Sequence, residues 1–155
     1  MEKTKVKKDV KWVVKPFNEL TIDELYNILY LRCKVFEVEQ NSPYLDTDYK
    51  DQKAMHVMGY IDDKLVVYCR LFRAGDYFEE ASIGRVVADE EFRSFGYGHQ
   101  LMDKAITTLA KIWGEERITI SAQLYLQRFY ENHGFIKVSD VYSEDNIPHI
   151  RMRKG

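Results

Sequence analysis

The apolar positions change their period several times along the chain, and each change predicts an element. Residues 10–17 read as a first strand. Thr21 then opens a helix. Thr21 and Glu24 stand in the S/T-x-x-E capping arrangement, in which each side chain satisfies a free backbone N–H of the other residue. Ile22, Leu25, Tyr26, Leu29, Cys33 and Phe36 follow at helical spacing and predict one apolar stripe. Asn41, Ser42 and Pro43 end this region, and a polar, acidic loop leads towards Lys53. Residues 55–61 and 65–72 read as two strands of a hairpin that turns at Asp62 and Asp63. Gly75 and Asp76 mark another turn, and a third hydrophobic run covers residues 83–88.

In the second half, a helix is predicted from Gly98 to Trp113, with Leu101, Met102, Ala105, Leu109 and Trp113 on its apolar face and Gly114 as its stop. Residues 117–121 form a short strand and residues 122–132 a helix, which Gly134 ends in a left-handed conformation. Residues 135–141 and 149–153 complete the chain as strands. The order is β-α-β-β-β-α-β-α-β-β. Hairpins imply antiparallel pairing, and the two late β-α-β passages imply parallel pairing. The expected class is therefore α/β, with a mixed, mostly antiparallel sheet of about seven strands flanked by helices, in one domain over residues 1–155.

Composition narrows the functional classes. A chain of 155 residues with 45% hydrophobic content is long enough for a sizeable core. The net charge of −2 does not favour a nucleic-acid partner. The lysines at 3, 5, 7, 8 and 11 read as a solvated tail and strand edge. No stretch approaches the ~20 apolar residues of a membrane span, and no secretory leader is visible. Cys33 and Cys69 both have apolar neighbours and read as reduced core thiols, which points to the cytoplasm. No Cys/His spacing suggests a metal site.

The candidate chemistry lies in three places. Val86, Val87 and Ala88 run into Arg93-Ser94-Phe95-Gly96-Tyr97-Gly98, a glycine-containing loop that opens a helix. Free N–H groups and the helix dipole at such a start bind phosphate, and glycines let backbone approach the anion. Taken alone, the two glycines could equally shape a turn. A Walker loop is excluded because His99 and Gln100 follow where Lys and Ser/Thr are needed. A dinucleotide fingerprint is excluded because Leu101 stands at its third small position. The second place is Tyr130 with Gly134 and Phe135 at a helix end; alone, Tyr130 reads as a core aromatic. The third is Gln123 after residues 118–121, a polar group within reach of a cofactor amide or, alone, a surface glutamine.

Together these features resemble the GNAT acetyltransferase superfamily. Its Q/R-x-x-G-x-G/A loop is matched by Arg93, Gly96 and Gly98, and its Y-x-x-x-G-F motif by Tyr130, Gly134 and Phe135. Residues 32–40, Pro43-Tyr44, Ser121-Ala122-Gln123 and residues 145–150 look like the ElaA-like branch. Two positions depart from many relatives: Ser94 replaces a glycine and Gln123 an asparagine. Neither removes the phosphate-binding N–H groups.

The resemblance implies an N-acetyltransferase that uses acetyl-CoA. The cofactor would lie on Val86, Val87, Ala88, the loop from Arg93 to Gly98, His99, Gln123 and Phe129. Pantetheine would pair with a bulged strand near Val86 and Val87, where a backbone N–H meets the thioester carbonyl. The acceptor, a small-molecule or peptide amine, would attack the thioester directly. Tyr130 would protonate the departing thiolate. The amine must first lose a proton; the base candidates are Glu37, Glu39, His56, Glu144 and, as first choice, His149. Asp46, Asp48 and Asp51 could form an acidic rim that attracts a cationic amine. A homodimer is compatible with this reading. The rival reading is a non-catalytic acyl-CoA-binding sensor or interaction module.

Overall fold

The computed structural model describes residues 6–41 and 44–155. Lys3 and Lys5 of the basic tail, and Ser42 and Pro43 of the predicted helix stop, lie outside the described residues. The elements are β1 (Lys11–Pro16), α1 (Ile22–Arg32), β2 (Met55–Ile61), β3 (Lys64–Phe72), β4 (Ser82–Ala88), α2 (Tyr97–Trp113), β5 (Ile118–Gln123), α3 (Gln127–Glu131), β6 (Ile136–Lys137), β7 (Tyr142–Glu144) and β8 (Ile147–Lys154).

The first half makes an antiparallel sheet in the order β1-β2-β3-β4. Its central hairpin turns at Asp62 and Asp63, both with left-handed φ (47° and 67°), the geometry that matches strand twist. The second sheet has the order β5-β8-β6, with β7 also paired to β8. The expected parallel pairing shrinks to one bridge, Ala81 with Ile118. β5 and β6 do run in the same direction, but β8 pairs antiparallel with both and separates them. Beyond that bridge β4 and β5 part.

β4 carries a bulge. Tyr68 pairs with Val87 and Arg70 with Gly84, so Arg85 and Val86 together face Cys69. Arg85 takes up the irregularity with a φ of 49°. α2 packs its predicted face on the sheets, where Leu101, Met102, Ala105 and Leu109 are fully buried beside Val57, Val66 and Ile120. Among the described residues, no helix is long and apolar enough to cross a membrane.

α1 begins with the predicted capping box: Glu24 N–H donates to Thr21 Oγ1 (3.0 Å), and Thr21 N–H to Glu24 Oε1 (2.8 Å). Its buried face differs from the predicted stripe. Ile22 is 88% exposed and Tyr26 70%, and Cys33 is exposed rather than in the core. Phe36 of that stripe is buried as expected, but Ile28, Leu31, Arg32 and Val35 point inward in place of the others. Ile28, Leu31 and Val35 form a second apolar row at helical spacing, and beside it Arg32 is buried against Asp46 (2.7 Å) and Asp51 (2.8 Å). The helix then widens into a π-helical stretch, Cys33–Glu39. The helix predicted over residues 122–132 is also shorter: Ala122 and Gln123 belong to β5, and a 3-10 turn, Leu124–Leu126, precedes α3.

Candidate active site

The parting of β4 and β5 opens a cleft of about 370 Å³, within the size range of small-molecule sites. The bulged strand β4 forms one wall, with Val86, Val87 and Ala88. β5 and the following turn form the other, with Ser121, Gln123 and Tyr125. The start of α2, with Arg93, Gly96, Gly98 and His99, closes one end. α3, with Phe129 and Tyr130, forms the floor, and β7–β8, with Glu144, Asp145, Ile147 and His149, closes the other end.

The α2 end has the form of an anion cradle. Gly96 is the N-cap, with φ 76°, a conformation that glycine takes without strain. The first bond of the helix runs from Gln100 N–H to Gly96 O (3.2 Å). The N–H groups of Tyr97, Gly98 and His99 precede it and meet no carbonyl four residues back within the helix. A Cβ on Gly98 would touch only the Phe129 ring, at 3.6–3.7 Å. The site therefore tolerates a methyl group in the free protein, and the bare backbone suits a ligand that comes close.

Side chains of the loop do other work. The Tyr97 ring is buried, donates from its hydroxyl to Lys8 O (3.0 Å) and accepts from Lys8 N–H (2.8 Å). Phe95 packs on Tyr97, and Ser94 is exposed. None of these three is among the residues that line the cleft, although a direct cofactor contact is expected of them. The Arg93 guanidinium donates to both oxygens of Glu39 (2.5 and 2.8 Å) and to Ala88 O (2.9 Å). The hydrogen bond to Glu39 holds Arg93 above its ordinary pKa. The pair fastens the tail of α1 to the mouth of the cleft. Gln123 does the same one residue on, exchanging amide hydrogen bonds with Gln40 (3.3 Å each way). The His99 ring packs tilted against Phe129 (4.6 Å between centroids) and lies 2.8 Å from His133, which reaches Asp103 at 3.2 Å. Burial pushes His133 below its usual pKa.

Tyr130 is 6% exposed and packs edge-on against Phe129 and Phe135, as a core aromatic would. Its hydroxyl, however, makes no protein hydrogen bond among the described residues and borders the cleft. Burial raises its pKa, so the phenol keeps its proton at neutral pH.

The base candidates separate cleanly. His56 is fully buried away from the cleft, between Tyr68 Oη (2.7 Å) and Asp51 O (2.9 Å), and burial keeps it neutral. Its role is structural. Glu37 accepts from the Cys33 thiol (2.8 Å) and does not line the cleft. That bond also raises the Cys33 pKa, and burial raises that of Cys69, so neither cysteine has the character of a nucleophile. Glu39 is committed to Arg93. Glu144 and His149 remain, 3.2 Å apart on the cleft wall.

The acidic rim is not a rim. Asp46, Asp48 and Asp51 turn inward onto arginines. Arg70 meets Asp48 and Asp51 (2.7 Å each), and Arg85 meets Asp46 (2.8 Å). The network clamps the loop to the β4 bulge and places Tyr44 and Arg85 on the cleft. An acidic loop carries no local sign of such distant partners. Glu39, Gln40, Tyr44, Arg85 and Tyr125 also line the cleft, and no local motif marks them for binding there.

A split between β4 and β5, with a glycine-loop helix start at one end and an unbonded tyrosine at its floor, defines an acyl-CoA-dependent transferase class. The comparisons agree: the acetyltransferase (GNAT) domain family matches residues 23–155, and the chain belongs to it. It is 42% identical to the protein ElaA of Escherichia coli over 147 residues, covering 94% of this chain and 96% of that one. It is 41% identical to the UPF0039 protein C11D3.02c of Schizosaccharomyces pombe, covering 94% and 97%. Among solved structures, an acyl-CoA N-acyltransferase from Pseudomonas aeruginosa superposes with a TM-score of 0.89 at 40% identity, covering 95% of this chain and 100% of that one. An aminoglycoside 6'-N-acetyltransferase complexed with coenzyme A shares the fold, with a TM-score of 0.68 at 17% identity over 92% and 96% of the chains.

Proposed function

We propose that this chain transfers an acetyl group from acetyl-CoA to a primary amine by direct attack within a ternary complex. The observation that carries the reading is the cleft itself: a bulged, parted strand, a bare helix start and an unbonded tyrosine hydroxyl meet in one space. The N–H groups from Tyr97 to His99 would hold the pyrophosphate, with Gly98 allowing close approach and Phe129 and His99 flanking it. Backbone at Val86 and Val87 would run beside pantetheine, and Gln123 would reach it once its amide leaves Gln40. Arg93, Ser94 and Phe95 would shape the loop. Bound there, the cofactor supplies an activated acetyl thioester.

The chain's own groups then divide the proton work. An ammonium has no lone pair, so His149 takes a proton from the acceptor. Tyr130 gives its proton to the sulfur. A backbone N–H near the bulge steadies the thioester oxygen, an effect worth ~3 kcal/mol per donor. The alternative of a silent acyl-CoA sensor is disfavoured by the retention of Tyr130 and by the family match. A screen of amines with acetyl-CoA, read as amine-dependent release of thiol, tests the proposal.

A further inference from the structure

The β7–β8 hairpin turns at Asp145 and Asn146, both left-handed (φ 51° and 64°), and this folds Glu144 back over His149. His149 Nδ1 lies 2.7 Å from Ile147 O, so that nitrogen carries the hydrogen and donates it. Nε2 then presents a lone pair. It faces Glu144 Oε2 at 3.2 Å. A ring nitrogen and a carboxylate oxygen meet at this distance through a shared hydrogen, carried either by Nε2 itself or by a donor that bridges both.

The carboxylate is held for that purpose. Tyr142 Oη lies 2.6 Å from Ser121 Oγ, and Ser121 Oγ reaches Glu144 Oε1 and Oε2 at 3.3 and 3.4 Å. A hydrogen-bond chain from Tyr142 through Ser121 to Glu144 fixes the carboxylate from behind. The Glu144 side chain remains 44% exposed towards the cleft, whereas that of His149 is 8% exposed. Two other acidic groups near the cleft have cationic partners: Glu39 has Arg93, and Asp46 has Arg32 and Arg85. Glu144 has a histidine and a serine instead.

We propose that Glu144 and His149 form an ammonium subsite that selects primary alkylammonium acceptors. Glu144 holds the charge through one N–H, and His149 Nε2 accepts a second. The inference rests on the reading of the cleft as an acetyl-transfer site, and it adds Glu144 as the residue that recognises the acceptor's charge. The ammonium gives one proton to His149 Nε2. The freed nitrogen lone pair forms the N–C bond to the acetyl carbon, and the C–S bond breaks with its electron pair on sulfur. The sulfur takes the Tyr130 proton, and the second nitrogen proton returns to Tyr130 through solvent. His149 releases its proton to solvent, so each turnover yields amide, thiol and one proton.

The test uses the full chain saturated with CoA, titrated with n-butylammonium chloride while the imidazole nitrogens of His149 are followed by NMR. A saturable shift at Nε2 is expected, weakened at least tenfold in Glu144→Gln, with tetramethylammonium, which has no N–H, giving none. The melting temperature and CoA affinity of Glu144→Gln should match the parent, which separates recognition from folding. No saturable shift, equal affinity in Glu144→Gln, or an equal response to tetramethylammonium overturns the subsite. Failure of CoA itself to bind overturns instead the acetyl-transfer reading beneath it.

Discussion

Thr119 N–H donates to Ala81 O at 2.8 Å, and this bond anchors the Ala81–Ile118 bridge through which β4 and β5 meet. Past it the bulge at Arg85 and Val86 turns β4 away, so the strands part and the cleft opens where the cofactor chemistry is expected. The bridge acts as a hinge pin: it fixes how wide the cleft is without occupying it.

Ligand binding should report this geometry first. CoA and acetyl-CoA should raise the melting temperature, since a ligand at a hundred times its Kd adds about 2.7 kcal/mol. NAD and ATP should do so much less. Differential scanning fluorimetry checks this, and equal shifts from ATP and acetyl-CoA would place the anion site elsewhere.

Gly98 offers a cleaner probe. A methyl group there meets the Phe129 ring only at ordinary contact distance, so Gly98→Ala should keep or slightly raise stability, by up to about 1 kcal/mol. CoA affinity should nonetheless fall about tenfold, or 1.4 kcal/mol, because the methyl occupies space the pyrophosphate needs. The larger Gly98→Val should weaken binding further. Calorimetric titration decides; unchanged affinity in the folded variants would contradict the cradle.

Tyr130→Phe removes an oxygen that bonds to no protein group among the described residues. Packing on Phe129 and Phe135 survives, so the melting temperature should barely move. Turnover should fall by ~10²-fold or more, with the KM for acetyl-CoA unchanged. A kcat within about threefold of the parent would return the proton to water or Ser121.

The buried arginine network predicts acid sensitivity. Burial works to raise Asp51, but Arg32 and Arg70 overcome it and hold the carboxylate below its usual range; Asp48 is held low in the same way by Arg70. A depressed folded pKa stabilises above the unfolded value of about 3.9 and loses that stability as pH falls through it. Thermal stability should therefore be level above about pH 5 and drop steeply below about pH 4. Asp51→Asn leaves two buried guanidinium groups short of a partner and should cost ~3–5 kcal/mol at neutral pH. Melting curves across pH check both; a variant as stable as the parent would mean that the network carries no stabilisation.

Much of the fold was legible because its signals are local. The capping box at Thr21, the hairpin at Asp62 and the loop at Gly96 each follow from neighbouring residues. Misreadings arose where distant groups decide. α1 carries two apolar rows at helical spacing, and the choice of the row with Ile28, Leu31 and Val35 goes with Arg32 meeting Asp46 and Asp51, which are distant in sequence. The strand Tyr142–Glu144 is short and half-exposed, so no apolar alternation marks it, and the turn at Asp145 went unread. With it went the chain from Tyr142 through Ser121 to Glu144, although His149 itself stood out on an apolar strand.

The most direct test of the central claim is the rate of thiol release from acetyl-CoA by the purified chain, with and without a panel of primary amines. Amine-dependent release, matched one for one by N-acetylated product and lost in Tyr130→Phe, is the predicted result. CoA bound tightly, with release no faster than in the amine-free control for every amine, would contradict it.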